Sequence, residues 1–159
     1  MQIEKTNVMR LLDQAKIAYT PRQYEYDEND LSGVHAAEAM GIPPETAFKT
    51  LVSRGSKGGF FVFVIPVAEE LDLKKAAKAA GEKKIEMLHV KELLGITGYI
   101  RGGCSPIGMK KPFPTFIDET AVLFDAISVS AGMRGKMVLV DPEELIGYVG
   151  AKTADLTAE

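Results

Sequence analysis

The sequence predicts an α+β fold: a single domain over residues 1–159, built on a mixed, mostly antiparallel β-sheet with short helices around it. Three observations predict it. Strand-like and helix-like stretches follow one another without a regular βαβ alternation, so a doubly wound parallel sheet is not expected. Phe60-Phe-Val-Phe-Val-Ile65 is an uninterrupted apolar run, the pattern of a strand buried on both faces and therefore central in its sheet. Two short helical stretches are bracketed by a capping side chain and a terminating glycine, Ser32 to Gly41 and Asp72 to Gly81.

Taken in order, residues 4–17 read as an amphipathic helix, with Val8, Leu11, Leu12 and Ala15 on one face. Tyr19 to Tyr26 alternates as a strand. Tyr24 and Tyr26 share one parity there, which fits cross-strand packing and equally fits Tyr24 as a pocket wall. Asp27-Glu-Asn-Asp30 is a polar turn. The helix Gly33 to Met40 then places Ala36, Ala37 and Met40 inward, and its His35 reads as a surface residue. Pro43-Pro44 separates it from a strand, Ala47 to Arg54. Period two sets Phe48, Thr50 and Val52 on one face and Ala47, Lys49 and Leu51 on the other. Lys49 is the anomaly, a charge between apolar neighbours. It is either a strand-end lysine reaching for water or a cation aimed into a cleft, where it would attract a carbonyl, carboxylate or phosphate oxygen.

After the apolar strand, Pro66 ends the sheet segment. Leu73, Ala76, Ala77 and Ala80 keep helical spacing behind the Asp72 cap. Lys74, Lys75, Lys78, Lys83 and Lys84 lie on or after its outer side, as a solvated face or as a grip for a nucleic-acid backbone. His89 to Leu94 reads as a short helix ended by Gly95, Thr115 to Ile117 and Ala126 to Val129 as strands, and Ser130 to Gly135 as a hairpin turn. A strand from Lys136 to Val140, a helix opened by Asp141-Pro142 and running through Tyr148, and an edge strand within Lys152 to Leu156 complete the chain.

The totals exclude several functions. A net charge of −3 makes the surface as a whole no magnet for nucleic acid, so any RNA contact must come from a local basic patch or a partner. One cysteine allows no internal disulfide and fits a reducing compartment. That cysteine and the two histidines, far apart in sequence, show no metal-ligand spacing, and no cofactor is expected. No signal pattern or long apolar span is present, so the expectation is a cytoplasmic protein with no membrane partner.

The stretch Gly98-Tyr-Ile-Arg-Gly-Gly-Cys-Ser-Pro-Ile-Gly-Met-Lys-Lys111 most needs a functional explanation. Glycines let a ligand approach the main chain, and such a loop can offer N–H groups to an oxygen-rich ligand. It has the glycine spacing of a phosphate-binding P-loop between Gly103 and Gly108, but Met109 and Lys110 stand where that loop needs Lys and then Ser or Thr. Pro106 also removes an N–H, which argues against a nucleotide triphosphatase.

Five segments, in order, resemble the YbaK family of Cys-tRNA(Pro) deacylases: Phe48-Lys-Thr-Leu51, Leu71-Asp-Leu-Lys-Lys-Ala-Ala-Lys78, Gly98-Tyr99 with Gly102-Gly103, Ser105-Pro-Ile-Gly108, and Ser130-Ala-Gly-Met-Arg-Gly135. The resemblance covers nearly the whole chain. It implies a trans-editing enzyme that removes cysteine from mischarged Cys-tRNA(Pro), and from Cys-tRNA(Cys) as a further substrate. Lys49 would be its key side chain. Tyr24, Thr50, Gly102, Gly103, Ser105, Pro106, Ser130 and Gly132 would line the aminoacyl site. The resemblance also implies a partner, prolyl-tRNA synthetase, besides the acceptor end of the aminoacylated tRNA.

The residues favour one kind of chemistry. No Ser-His-Asp set can be assembled, and Cys104 reads as a packing residue with no basic partner near it in sequence. The family mechanism draws the nucleophile from the substrate, whose cysteine thiol attacks its own ester. Main-chain N–H groups at Gly102 and Gly103 would face the oxyanion. This is formally a cyclisation, so the enzyme could be classed as a lyase or a hydrolase. Two rival readings are water-mediated deacylation of Ala-tRNA(Pro) or another mischarged tRNA, and a non-catalytic module that binds an acceptor end or a synthetase.

Overall fold

The computed structural model describes residues 4–158. The α+β class holds, but the strands divide between two sheets. One is three-stranded and wholly antiparallel, in the order β1 (Tyr19–Gln23), β7 (Lys136–Val140), β6 (Ile127–Met133). The other runs β4 (Ile85–Met87), β2 (Phe48–Gly55), β3 (Phe60–Pro66), β5 (Thr115–Asp118), β8 (Lys152–Ala154). Its β4–β2 and β2–β3 pairs are antiparallel, and its β3–β5 and β5–β8 pairs are parallel. A parallel bridge between Ala47 and Ser128 ties the two sheets where β2 begins.

The apolar run behaves as its pattern requires. β3 is the middle strand of its sheet. Its Val62 and Val64 enter the main core with Phe48 and Val52 of β2 and Val129 and Val138 of the smaller sheet. Phe63 and Ile65, of opposite parity, enter a second core under α3 (Leu73–Ala80), whose Ala76 and Ala77 are buried. Phe63 stacks on Phe116 of β5 with ring centroids 5.5 Å apart.

The helix caps follow the sequence closely. Ser32 Oγ accepts from His35 N–H at the start of α2 (Gly33–Met40), and one Asp72 carboxylate oxygen accepts from the N–H groups of Lys74 and Lys75. Asp141 does the same for α5 (Pro142–Val149). Four expectations need correction. In α1 (Asn7–Gln14), Met9 is buried and Ala15 is exposed, because the helix ends at Gln14 and Ala15 is its C-cap. Leu73, the first residue of α3 after its Asp72 cap, is 44% exposed. α4 (Val90–Thr97) continues through Gly95 and ends at Gly98, whose φ of 88° supplies the left-handed cap; a mid-helix glycine costs only about 1 kcal/mol relative to alanine. Finally, Ser130 to Met133 is not part of the turn. β6 carries on through it past a bulge, and Arg134-Gly135 alone makes the reversal.

One buried charge was not singled out from the sequence. Asp118 is 2% exposed. Its carboxylate accepts from the Thr120 hydroxyl at 2.6 Å, from Thr120 N–H at 3.2 Å and from Leu156 N–H at 3.0 Å, joining the end of β5 to the C-terminal segment. Asp118→Ala strands those donors, and it is expected to cost about 2–3 kcal/mol, read as a lower urea midpoint at unchanged slope.

Candidate active site

A cleft of about 430 Å³ runs along the first half of β2, between α2, the start of α4 and the glycine-containing loop after Gly98. Its size suits a small-molecule or nucleotide-end ligand. It collects Tyr24, Lys49, Thr50, Gly102 and Ser130 of the residues expected from the sequence. Four others stand elsewhere. Gly103, Ser105 and Pro106 are buried behind the loop surface, and Gly132 lines a separate cavity beside Tyr99 and the start of α1.

Lys49 is a half-buried cation of the cleft wall. β2 is pinned on both sides, by β3 along its length and by the Ala47–Ser128 bridge at its start, so the backbone beneath Lys49 is fixed. Burial holds its ammonium below the usual lysine range, and the carboxylates of Glu70 and Glu69 pull partly the other way. Next to it, Thr50 Oγ1 is enclosed and makes no hydrogen bond, the condition of a polar group waiting for a partner. Ser130 Oγ accepts from Gly132 N–H at 3.1 Å, which leaves its own proton to donate. Tyr24 is held by its N–H, which donates to the Gly135 carbonyl at 2.9 Å, and burial raises its phenol's pKa, so it works as a neutral hydrogen-bonding wall.

The glycine loop is a preformed structure. Tyr99 donates its hydroxyl proton to the Ile107 carbonyl across the loop, and Ser105 Oγ accepts from Ile107 N–H. Burial pushes the Tyr99 phenol up to about 12, so it stays a donor. A Cβ on Gly103 would meet backbone atoms of Arg134 and Met133 at 3.1–3.3 Å; only glycine lets the two loops touch. The N–H of Gly103, expected to face an oxyanion, instead donates to the Ile100 carbonyl at 3.0 Å. The N–H groups of Gly102 and Cys104 make no hydrogen bond among the described residues. Of the two expected main-chain donors Gly102 is thus unpartnered and Gly103 is not, while Cys104, another residue of the cleft wall, also has an unpartnered N–H.

Cys104 lines the cleft, yet its chemistry is that of a packed thiol. Burial pushes it up to about 12, with Thr97 as its hydrogen-bonding neighbour. The thiolate is the reactive form, and at neutral pH almost none is present. Cys104→Ala is expected to retain activity within about threefold of the wild type, the size of a modest packing change, when initial rates are compared. His35 sits by Asp30, with Nδ1 to Oδ2 at 3.8 Å, on the outer side of its helix. Sequence reasoning missed the other wall: Met87, His89, Val90 and Arg101 also line the cleft. Nothing in the sequence marks that wall; its Met87 and Val90, at the end of β4 and the start of α4, stand out only in the fold, as apolar side chains left exposed. Among the described residues, no group of three or more His, Cys, Asp or Glu side chains could hold a metal ion, and no helix is long and apolar enough to cross a membrane.

The cleft thus brings together cationic side chains, unpartnered main-chain N–H groups and an unpartnered hydroxyl, all able to bind oxygen atoms of a ligand. The family model of the aminoacyl-tRNA editing domain matches residues 31–148, and the chain belongs to that family. Over 156 residues, spanning 98% of this chain and 95% of the other, it is 49% identical to a protein of Enterococcus faecalis named "Putative Cys-tRNA(Pro)/Cys-tRNA(Cys) deacylase EbsC". It is also 26% identical over 128 residues to the uncharacterized protein YwhH of Bacillus subtilis, covering 80% of this chain and 81% of that one. Two crystal structures share the fold. That of hypothetical protein APE2540 matches at a TM-score of 0.87 and 20% identity, covering 96% of this chain and 100% of the other. One described as a "putative trans-editing enzyme for prolyl tRNA synthetase" matches at 0.81 and 24%, covering 98% and 100%.

Proposed function

We propose that this protein is a trans-acting deacylase that removes cysteine from Cys-tRNA(Pro) and from Cys-tRNA(Cys), with the thiol of the bound cysteine as the nucleophile. The observation that carries the reading is the 49% identity, over nearly the full length of both chains, to the Enterococcus faecalis relative named for this activity. The cleft supports the mechanism. Its one thiol is held neutral, and the groups around Lys49 can polarise and orient a carbonyl.

The chemistry follows from those groups. The substrate thiol loses its proton and its sulfur attacks the ester carbonyl carbon. A C–S bond forms, the C–O bond to the ribose breaks, and the departing 3′-oxygen takes up a proton. The product is a small cyclic thioester, which water then opens. Holding both reacting groups in one molecule replaces a bimolecular step, an advantage that ring strain offsets in part. Lys49 anchors the substrate and supplies positive charge to the developing anion, while the N–H groups of Gly102 and Cys104 receive the oxyanion. Tyr24, Thr50 and Ser130 set the orientation of the aminoacyl group. Gly103, Ser105, Pro106 and Gly132 act by shaping the two loops.

Prolyl-tRNA synthetase is the natural partner. Proline and cysteine are close in size, and a synthesis pocket discriminates weakly against a similar or smaller side chain. The work belongs in the cytoplasm, where tRNA is charged. The test is incubation of purified protein with Cys-, Ala- and Pro-tRNA(Pro). Cysteine is expected to be released first, with Pro-tRNA(Pro) intact. Release of alanine at an equal or higher rate would move the assignment to water-mediated hydrolysis, and no release of any amino acid would leave only a binding module.

A further inference from the structure

Arg101 and Arg134 belong to the two glycine-containing loops, which touch each other beside the cleft. Arg101 is exposed and lines the cleft. Arg134 donates from Nε to the Arg101 carbonyl at 2.8 Å. Its Cγ and Nε pack against Gly102, 3.4 Å from where a Cβ there would sit. The φ of 87° at Gly102 keeps the loop in that shape. With Nε committed, the plane of the Arg134 guanidinium is set and its two terminal nitrogens remain for a ligand.

Neither guanidinium is neutralised. The ion pairs among the described residues engage Lys5, His35, Arg54, Lys75 and Lys84, and none engages Arg101 or Arg134. An oriented guanidinium at Arg134, next in space to the backbone of Arg101 with its exposed guanidinium and no carboxylate paired to either, is suited to a phosphate, which takes paired N–H donors in one plane. The position fits as well, because Arg101 lines the same cleft as Lys49. The lysines between 74 and 84 are a poorer candidate. Lys75 bonds Asp155 and the Thr157 carbonyl, Lys84 bonds Glu86, and none of these lysines lines the cleft.

We propose that Arg101 and Arg134 hold the phosphodiester on the 5′ side of the terminal nucleotide, whose ribose carries the amino acid. The proposal rests on the deacylase reading, and it explains how a chain of net charge −3 holds RNA without a broadly basic surface.

Arg101→Ala is the variant of choice, because it keeps the carbonyl that fixes Arg134. Three substrates separate the effects: Cys-tRNA(Pro), a cysteinyl ester of adenosine, and the same ester bearing a 5′-methyl phosphodiester. Wild type is expected to prefer the phosphodiester compound over the plain nucleoside ester. Arg101→Ala should raise KM about tenfold for the two substrates with phosphate, and leave the nucleoside ester unaffected. Arg101→Lys should recover part of the loss. The salt slope of binding to an uncharged CCA trinucleotide should shrink by roughly 0.7, one single-strand contact. The double variant Lys78→Ala/Lys83→Ala should behave as wild type throughout. Equal cleavage of both small esters by wild type, or equal slowing of both by Arg101→Ala, would overturn the proposal. If wild type cleaves nothing, the deacylase reading fails, and the trinucleotide decides the clamp alone: unchanged affinity in Arg101→Ala would reject it.

Discussion

Lys49→Met is expected to lower single-turnover deacylation of Cys-tRNA(Pro) by about a hundredfold or more, the scale of losing one preorganised charge-stabilising group. The same variant should be as stable as wild type at pH 7, or more so. Burial lowers the folded-state pKa of Lys49 below the ordinary 10.5. Between that lowered value and 10.5, the unfolded chain binds more protons than the folded one, so stability rises with pH across this window. Below the window the lysine is charged in both states, and the full cost of burying its charge is present. Methionine is similar in length, carries no charge and removes that cost. Glu70 and Glu69 lose a favourable neighbour, which limits the gain. Thermal melts alongside rate measurements distinguish the outcomes. Lost activity with a sharply lower Tm would mean that Lys49 serves the fold rather than the reaction.

Ser-tRNA is expected to survive under conditions that clear Cys-tRNA. Serine differs from cysteine at one atom, and the cleft would admit both. The difference lies in the attacking group. A thiol near its ordinary pKa of about 8.5 is partly ionised close to neutral pH, and its anion is a strong nucleophile. An alcohol is ionised to a negligible extent without an adjacent base, and the described residues of the cleft provide no Ser-His-Asp arrangement. Discrimination of at least about a hundredfold is expected on this ground alone. The pH profile carries the same signature. Activity should rise with the ionisation of the substrate thiol and fall as Lys49 loses its proton, below the usual lysine value.

Much of the fold was legible because local chemistry decided it. Ser32, Asp72 and Asp141 cap their helices through bonds that span two or three residues. β3 is buried on both faces and needs no partner to announce it. The division into two sheets was not legible, since it depends on β1 crossing to β7 and on the single bridge from Ala47 to Ser128. Lys49 stood out as a charge in an apolar strand, and the cleft accounts for it. Gly103 read as a free donor from the sequence because its bond to Ile100 is a feature of the loop's closure. Arg101 and Arg134 stayed hidden for a related reason. Their contact joins residues 33 apart in sequence, and nothing in either neighbourhood implies it.

The measurement that bears most directly on the mechanism is the fate of S-methylcysteinyl-tRNA(Pro). The methyl group blocks the sulfur as a nucleophile and adds only one carbon to the side chain. If the bound amino acid supplies the attacking atom, this ester persists while unmodified Cys-tRNA(Pro) is consumed by the same preparation. Release of S-methylcysteine at a rate close to that of cysteine would show that water or a protein group carries out the attack.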